Sequence, residues 1–312
     1  MHQIKSVSVI IPVNERGEDL ISVLKAYISV LSNEDINVEY IVVLAPQYGF
    51  HADDVRKLNS DSLQVRVILL NKNYGEAGEI KIGVDHANFD HILTLTPYEQ
   101  IEPKYIPDVF SQLEDNDVIV VNRWPRFDPS INKIQSLLFT KLMKALSGNV
   151  QKDFGCGWRL INKEVFNEIR LYGDFHRFIL ILTEQVGFKT KEVDLPQSKL
   201  DAYRRTYGLK TYLARLLDIV TVGFIYRFIK KPLRFFGAGG VASVTLGIFG
   251  LFYLSIEKFF FGVSMGDRPL LLLFSLFLVL GVQLIAIGLI GETVIFTSSK
   301  DNKEYRIRKI VN

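Results

Sequence analysis

Hydrophobic residues are spread along this chain in three distinct ways. Between positions 7 and 122, short runs dense in Val, Ile and Leu alternate with stretches whose apolar positions recur at helical spacing. The runs VSVIIPV (7–13), VEYIVVLA (38–45), VRVILL (65–70), HILTLT (91–96) and DVIVVN (117–122) predict strands. The stretches near 18–31, 52–59, 76–87 and 104–114 predict the helices between them. Strands that are almost continuously aliphatic are buried on both faces, and four crossovers of this kind imply an α/β fold: a mostly parallel sheet flanked by helices. Ligands of such sheets bind beyond the carboxyl ends of the strands. Those ends are residues 12–15, 45–48, 71–75, 96–100 and 122–126.

From about residue 130 the pattern changes. A helical stretch at 130–147 leads into DFGCGWRLI (153–161), then to helices near 163–170 and 176–186 and a strand-like KTKEVDL (189–195). Residues 207–230 intersperse Lys210, Arg215, Arg227 and Lys230 among apolar and aromatic side chains. That mixture fits either helices lying in a membrane interface or an ordinary amphipathic helix on the domain.

The third pattern is uninterrupted. Residues 235–256 are 22 positions without a charge, and 269–291 are 23 more. At 1.5 Å per residue each reaches about 33–35 Å, enough for a hydrocarbon core of about 30 Å. Lys230, Lys231 and Arg234 precede the first span, and Lys300, Lys303, Arg306, Arg308 and Lys309 follow the second. Basic residues favour the cytoplasmic side, so both ends are expected inside. Glycines in both spans permit close approach, to each other or to another subunit. The expected organisation is a cytoplasmic domain (1–203), interfacial helices (204–234), a first transmembrane helix (235–256), a short external loop (257–268), a second transmembrane helix (269–297) and a basic tail (298–312).

Composition alters little. A formal charge of +3 is too small to argue for nucleic-acid binding. The single cysteine, Cys156, has no partner for an internal disulfide, which suits a reducing compartment. Position 7 already opens a strand, so no long apolar leader precedes the domain, which is expected to stay cytoplasmic.

Laid out in this order, the chain resembles the family 2 glycosyltransferases of the dolichol-phosphate mannosyltransferase and polyprenyl-phosphate glucosyltransferase type. The resemblance is carried by IPVNE (11–15), NKNYG (71–75), IEPKYIPDVF (101–110), DFGCGWRL (153–160), FHRF (175–178), RRTYGLKTY (204–212), KPLRFFGAGG (231–240) and GVQLIAIGLIGE (281–292). It implies a GT-A-like nucleotide-sugar fold, a hexose donor, a polyprenyl phosphate acceptor, inversion at the sugar, and homo-oligomers at a membrane. Carried over position by position, it implies a donor side made by Pro12, Asn14, Glu15, Asn73, Gly75, Thr96 and Tyr98. Arg123 and Asp153 fall at the chemistry, and Arg159, Arg204, Arg205 and Lys210 fall where an acceptor phosphate would be gripped. His176 with Arg177 could touch a ligand, although a lone histidine there is more often structural, and Cys156 between two glycines reads as loop packing.

Two departures stand out against this pattern. Where such enzymes carry an acidic D-D-G-S-type turn, this chain has VVLAPQYG (42–49). Where they carry the D-x-D motif for Mg2+ or Mn2+, Thr96 and Tyr98 stand instead, and neither is an anionic ligand for a hard cation. Glu99 and Glu102 are near but out of register. Two readings follow: a transferase whose Arg and Lys residues replace the metal, or a catalytically silent homologue that binds a lipid phosphate, a nucleotide or a partner.

Overall fold

A computed structural model describes residues 4–60, 63–113, 116–127, 152–169, 171, 175–203, 232–262 and 268–298. They fall into two compact units, an α/β unit within residues 1–219 and a helical hairpin within residues 220–304.

The α/β unit is built on one seven-stranded sheet in the order β3-β2-β1-β4-β6-β5-β7. The strands are β1 (Ser6–Val13), β2 (Asn37–Leu44), β3 (Gln64–Leu69), β4 (His91–Thr94), β5 (Val118–Arg123), β6 (Arg159–Asn162) and β7 (Thr190–Leu195). All run parallel except β6, which pairs antiparallel with β4 on one side and β5 on the other. The switch has a functional consequence. Being reversed, β6 begins rather than ends at the carboxyl edge, so Arg159 and the loop before it join the rim where ligands bind.

Helices α1 (Leu20–Leu31), α2 (Ala52–Arg56), α3 (Gly75–Asp85), α4 (Ile106–Ser111), α5 (Val165–Glu168), α6 (Ile179–Val186) and α7 (Lys199–Tyr203) cover the sheet. One core layer packs Leu20, Leu24 and Tyr27 of α1 against Val9, Ile11 and Leu93. The opposite layer packs Ile80 and Val84 of α3 and Ile179 of α6 against Ile10, Ile41 and Val120. Each such side chain contributes about 1.5–3 kcal/mol by leaving water.

In the second unit, α8 (Pro232–Phe261) and α9 (Pro269–Ser298) form a hairpin whose helices are long and apolar enough to cross a membrane. Their outer faces carry Phe249 at 68% exposure and Leu272 at 76%, which a soluble core helix would bury. The glycines resolve the choice left open by the sequence: within this hairpin the two spans pack on each other. A Cβ on Gly240 would come 2.7 Å from the Gly281 carbonyl oxygen, and one on Gly281 would come 2.7 Å from that of Gly240. Between them Ser243 Oγ donates to the Phe277 carbonyl at 2.8 Å. Glu292 Oε2 accepts from the Leu233 N–H, one of the unpaired donors at the start of α8, at 3.4 Å. Gly281→Ala is expected to cost about 1–3 kcal/mol through overpacking. Gly239→Ala, whose new methyl meets only Leu284 at 3.9 Å, is expected to be neutral or stabilising. Thermal unfolding in detergent distinguishes them.

Candidate active site

The rim of the sheet at β1, β4 and β6 encloses a cleft lined by Pro12, Asn14, Glu15, Thr96, Tyr98 and Arg159, together with Glu76, Gln100, His176 and Arg177. Six of the residues assigned from the sequence therefore come together. Four more enter that sequence reasoning missed or set aside.

Two turns shape the rim at the ends of β1 and β3. After β1, the Asn14 carbonyl accepts a hydrogen bond from Gln47 Nε2 at 2.9 Å, tying the first strand end to the second. After β3, Asn73 Oδ1 accepts from the Gly75 N–H at 2.8 Å, and Gly75 takes φ +74°, a conformation that glycine adopts without strain. Asn73 and Gly75 thus set the start of α3 rather than line the cleft, a correction to their expected role. What they deliver is Glu76, in the first turn of α3. The signal was present in the sequence as a carboxylate just past a strand-end glycine.

The β4 turn is closed by its own hydrogen bonds. Thr96 Oγ1 donates to the Tyr98 carbonyl at 2.6 Å, while the Thr96 carbonyl accepts from Tyr27 of α1 at 3.1 Å. Gln100 Nε2 donates to the Tyr98 hydroxyl at 2.8 Å and to the Gly155 carbonyl at 3.1 Å, and its Oε1 accepts from the Gly157 N–H at 2.8 Å. Thr94 Oγ1 adds a bond to the Gly157 carbonyl at 2.8 Å. Glu99 turns to Ser198, whose hydroxyl donates to it at 2.6 Å, and Glu102 pairs with Lys104 at 2.5 Å. At the two positions where the resemblance expects metal-binding aspartates, Thr96 and Tyr98 thus offer a divalent ion only a hydroxyl and a phenol, neither of them anionic, and Glu99 is bonded to Ser198 instead. Among the described residues there is no group of three or more His, Cys, Asp or Glu able to hold a metal.

Arg123 and Asp153 require correction. Arg123 is the last residue of β5 and pairs with Leu195 of β7, so its side chain projects from inside the sheet rather than from a loop beyond it. Its side chain is fully buried: Nε and Nη2 donate to Asp153 at 2.6 and 2.8 Å, and Nη1 donates to Asp201 at 2.9 Å. Burial alone would weaken its hold on the proton, but Asp153 and Asp201 outweigh that and hold its pKa well above the ordinary value. Asp153 also accepts from the Gly155 N–H at 2.9 Å. Neither residue lines the cleft; together they brace the loop that does. Burial pushes the Cys156 thiol in that loop up to about 11, which makes it inert packing.

The far wall is cationic and incompletely paired. Arg159, at the start of β6, is 3% exposed, and its Nη1 lies 3.8 Å from Glu76 without a hydrogen bond. His176 Nε2 stands 3.1 Å from the other Glu76 oxygen, leaving Nδ1 buried and unpartnered. Arg177 Nε is also buried without a partner. Burial would raise the Glu76 carboxyl, but His176, then Arg159 and Arg177, outweigh it and bring it down to about 2. One carboxylate thus balances a wall of three basic side chains, and three of their nitrogen atoms still await an acceptor. Arg204, Arg205 and Lys210 lie outside the described residues.

Behind this wall Glu79 is fully buried and neither carboxylate oxygen has a hydrogen bond. Burial first, then repulsion from Glu76 and Glu15, raises it from 4.5 to about 8. The folded chain keeps a proton there that the unfolded chain releases above about 4.5, so stability falls as pH rises from that value towards 8. Glu79→Gln mimics the protonated form. It is expected to leave the melting temperature unchanged near pH 5 and to raise it by several degrees at pH 8, in thermal scans across that range.

Comparison with known proteins gives the family and agrees with the fold. Residues 8–170, just over half the chain, match the Glycosyl transferase family 2 domain, and the chain belongs to that family. It is similar to the dodecaprenyl-phosphate galacturonate synthase of Rhizobium johnstonii, with 26% identity over 80% of this chain and 76% of that protein. It is similar over a longer span to the undecaprenyl-phosphate 4-deoxy-4-formamido-L-arabinose transferase of Shewanella sediminis, with 27% identity over 98% and 92%. Among solved structures, the glucosyl-3-phosphoglycerate synthase of Mycobacterium tuberculosis, determined with Mn2+, UDP-glucose and phosphoglyceric acid, shares the fold. The TM-score there is 0.55 at 14% identity, covering 72% of this chain and 79% of that one.

Proposed function

We propose that this chain is a membrane-held transferase that moves a sugar from a nucleotide sugar to the phosphate of a polyprenyl phosphate, with inversion. The domain and both termini lie on the cytoplasmic side in this reading. The observation that carries it is the cleft wall of Arg159, His176 and Arg177, whose buried Nη1, Nδ1 and Nε have no acceptor. Buried donors of this kind are costly to leave unmade, and an anionic oxygen satisfies them. Two relatives of similar sequence are named for polyprenyl-phosphate sugar transfer, and the apolar hairpin would hold the cleft at the surface where a lipid phosphate resides.

The acceptor phosphate is already anionic near neutral pH, so its oxygen attacks the anomeric carbon with little need for a general base. Arg159, His176 and Arg177 orient that phosphate, and Arg204, Arg205 and Lys210 complete its grip. The demanding step is departure of the nucleoside diphosphate, whose growing charge needs fixed positive groups. In this reading they come from the chain and not from a metal held at Thr96 and Tyr98.

The silent-homologue reading draws on the same closed β4 turn, since a chain relieved of catalysis can lose its metal ligands. It would use the same unpartnered nitrogens to bind a lipid phosphate without transfer, so turnover is what separates the two readings. Purified full-length protein, given a panel of labelled nucleotide sugars with undecaprenyl or dolichyl phosphate, is expected to form a labelled lipid with at least one donor. No product across the panel, together with no stabilisation by any nucleotide, would favour the silent homologue.

A further inference from the structure

Resting on that reading, we infer that Arg16 is the counter-charge to the departing diphosphate, a cation built into the chain beside the turn where the family resemblance expects a metal. Its backbone is the first sign. Arg16 is the one non-glycine with positive φ among the described residues, at +55°. Side-chain-bearing residues avoid that region unless the surroundings enforce it, and such outliers gather at functional sites.

What the unusual backbone achieves is placement. The guanidinium carbon sits over the Tyr98 ring, 3.7 Å from its centre, and Nη1 donates to Asp201 Oδ1 at 3.0 Å. Tyr98 is one of the two residues at the metal positions, and in this chain its ring carries a guanidinium. A guanidinium carries five N–H donors, so one resting over a ring and bonded to a carboxylate through Nη1 keeps others for a further anion.

The anchor is itself rigid. Asp201 is fully buried, and its other oxygen accepts from Arg123 Nη1 at 2.9 Å and from Gln197 Nε2 at 2.8 Å. Asp201 is therefore well paired without Arg16, so neutralising it does not account for a strained, partly exposed arginine. A quarter of the Arg16 side chain is exposed, facing a cavity of about 280 Å³. Tyr98 forms a wall of both that cavity and the cleft. The cation thus stands at the edge of the donor site, held on two sides and open on another.

In the reaction, the bond between the anomeric carbon and the oxygen of the diphosphate breaks, and its electron pair stays on that oxygen. The acceptor phosphate oxygen forms the new bond to carbon. No proton moves, and the charge that appears on the diphosphate is what Arg16 offsets.

The test is nucleotide binding by the full chain in detergent, with EDTA present, using UDP and GDP against UMP and GMP as probes. Wild type is expected to bind at least one diphosphate tenfold or more tightly than its monophosphate. Arg16→Gln should bring that ratio within threefold while leaving monophosphate binding and the melting temperature unchanged, a result that a purely structural arginine would not give. If Arg16→Gln does not fold, Arg16→Lys is read instead: a ratio reduced threefold or more supports the inference, and an unchanged ratio overturns it. A preference retained in Arg16→Gln, or one that vanishes from wild type in EDTA and returns with Mn2+, also overturns it. If wild type binds no nucleotide with or without Mn2+, the donor-site reading itself fails and this inference falls with it.

Discussion

Arg123→Ala is expected to destabilise the α/β unit rather than merely disarm it. The substitution leaves Asp153 and Asp201, both buried, without the guanidinium that offsets their desolvation. Removing one partner of a buried ion pair costs about 3–5 kcal/mol. For a unit of this size that is a fall of roughly 10 °C in melting temperature. The loop bearing Gly155 and Gly157 would lose its brace with it, because Asp153 also receives the Gly155 N–H. Thermal unfolding and limited proteolysis measure the effect directly. A variant that melts like wild type while losing activity would show that Arg123 faces a ligand after all, and that the closed pairing with Asp153 does not describe its role.

Arg159→Gln is expected to do the opposite. The arginine is buried against the cleft, and the one carboxylate near it, Glu76, keeps His176 at 3.1 Å when the guanidinium is gone. Little folding energy should be lost. Transfer, however, should fall about 10²–10³-fold, the cost of removing one fixed donor from developing or bound negative charge. Burial already pulls the Arg159 pKa below its ordinary value, a sign that the fold holds this charge at a cost. Initial rates of labelled-lipid formation, compared with melting temperature, separate the two outcomes. Equal rates in Arg159→Gln and wild type would remove Arg159 from the phosphate wall.

Much of this fold was legible in the sequence because strands buried on both faces must be nearly continuous in Val, Ile and Leu. Strands 7–13, 38–45 and 65–70 appear within one residue of their predicted bounds, as Ser6–Val13, Asn37–Leu44 and Gln64–Leu69. The strand that escaped is Arg159–Asn162. Its four residues, RLIN, begin and end in polar side chains and show no period. Its position depends on partners β4 and β5 that are distant in sequence, which no local pattern encodes. The hairpin was the clearest signal, since lipid-length apolar runs have few other uses.

For the site, predicted strand ends put Pro12, Asn14, Glu15, Thr96 and Tyr98 at one rim because topology delivers them there, whereas Arg159 came from the family resemblance alone, its strand having escaped prediction. Arg123 misled for a physical reason. A cation at a strand end looks the same in sequence whether it meets ligand or carboxylates, and Asp153 and Asp201 lie 30 and 78 positions away. His176 was set aside as structural, yet its pairing with Glu76 carries it to the cleft wall. Arg16 carried no signal, because positive φ and a place over the Tyr98 ring exist only once β1 and β4 are neighbours.

What all of this depends on is that fixed basic side chains, with no acid-caged ion, neutralise the phosphates in the rim between β1, β4 and β6. The most direct measurement is the initial rate of sugar transfer to undecaprenyl phosphate by metal-stripped protein, in EDTA and again after Mg2+ or Mn2+ is restored. Rates that agree within about twofold are predicted, since a tenfold change would already mean about 1.4 kcal/mol of barrier supplied by the ion. Loss of transfer in chelator, with full recovery on adding either cation, would contradict the account.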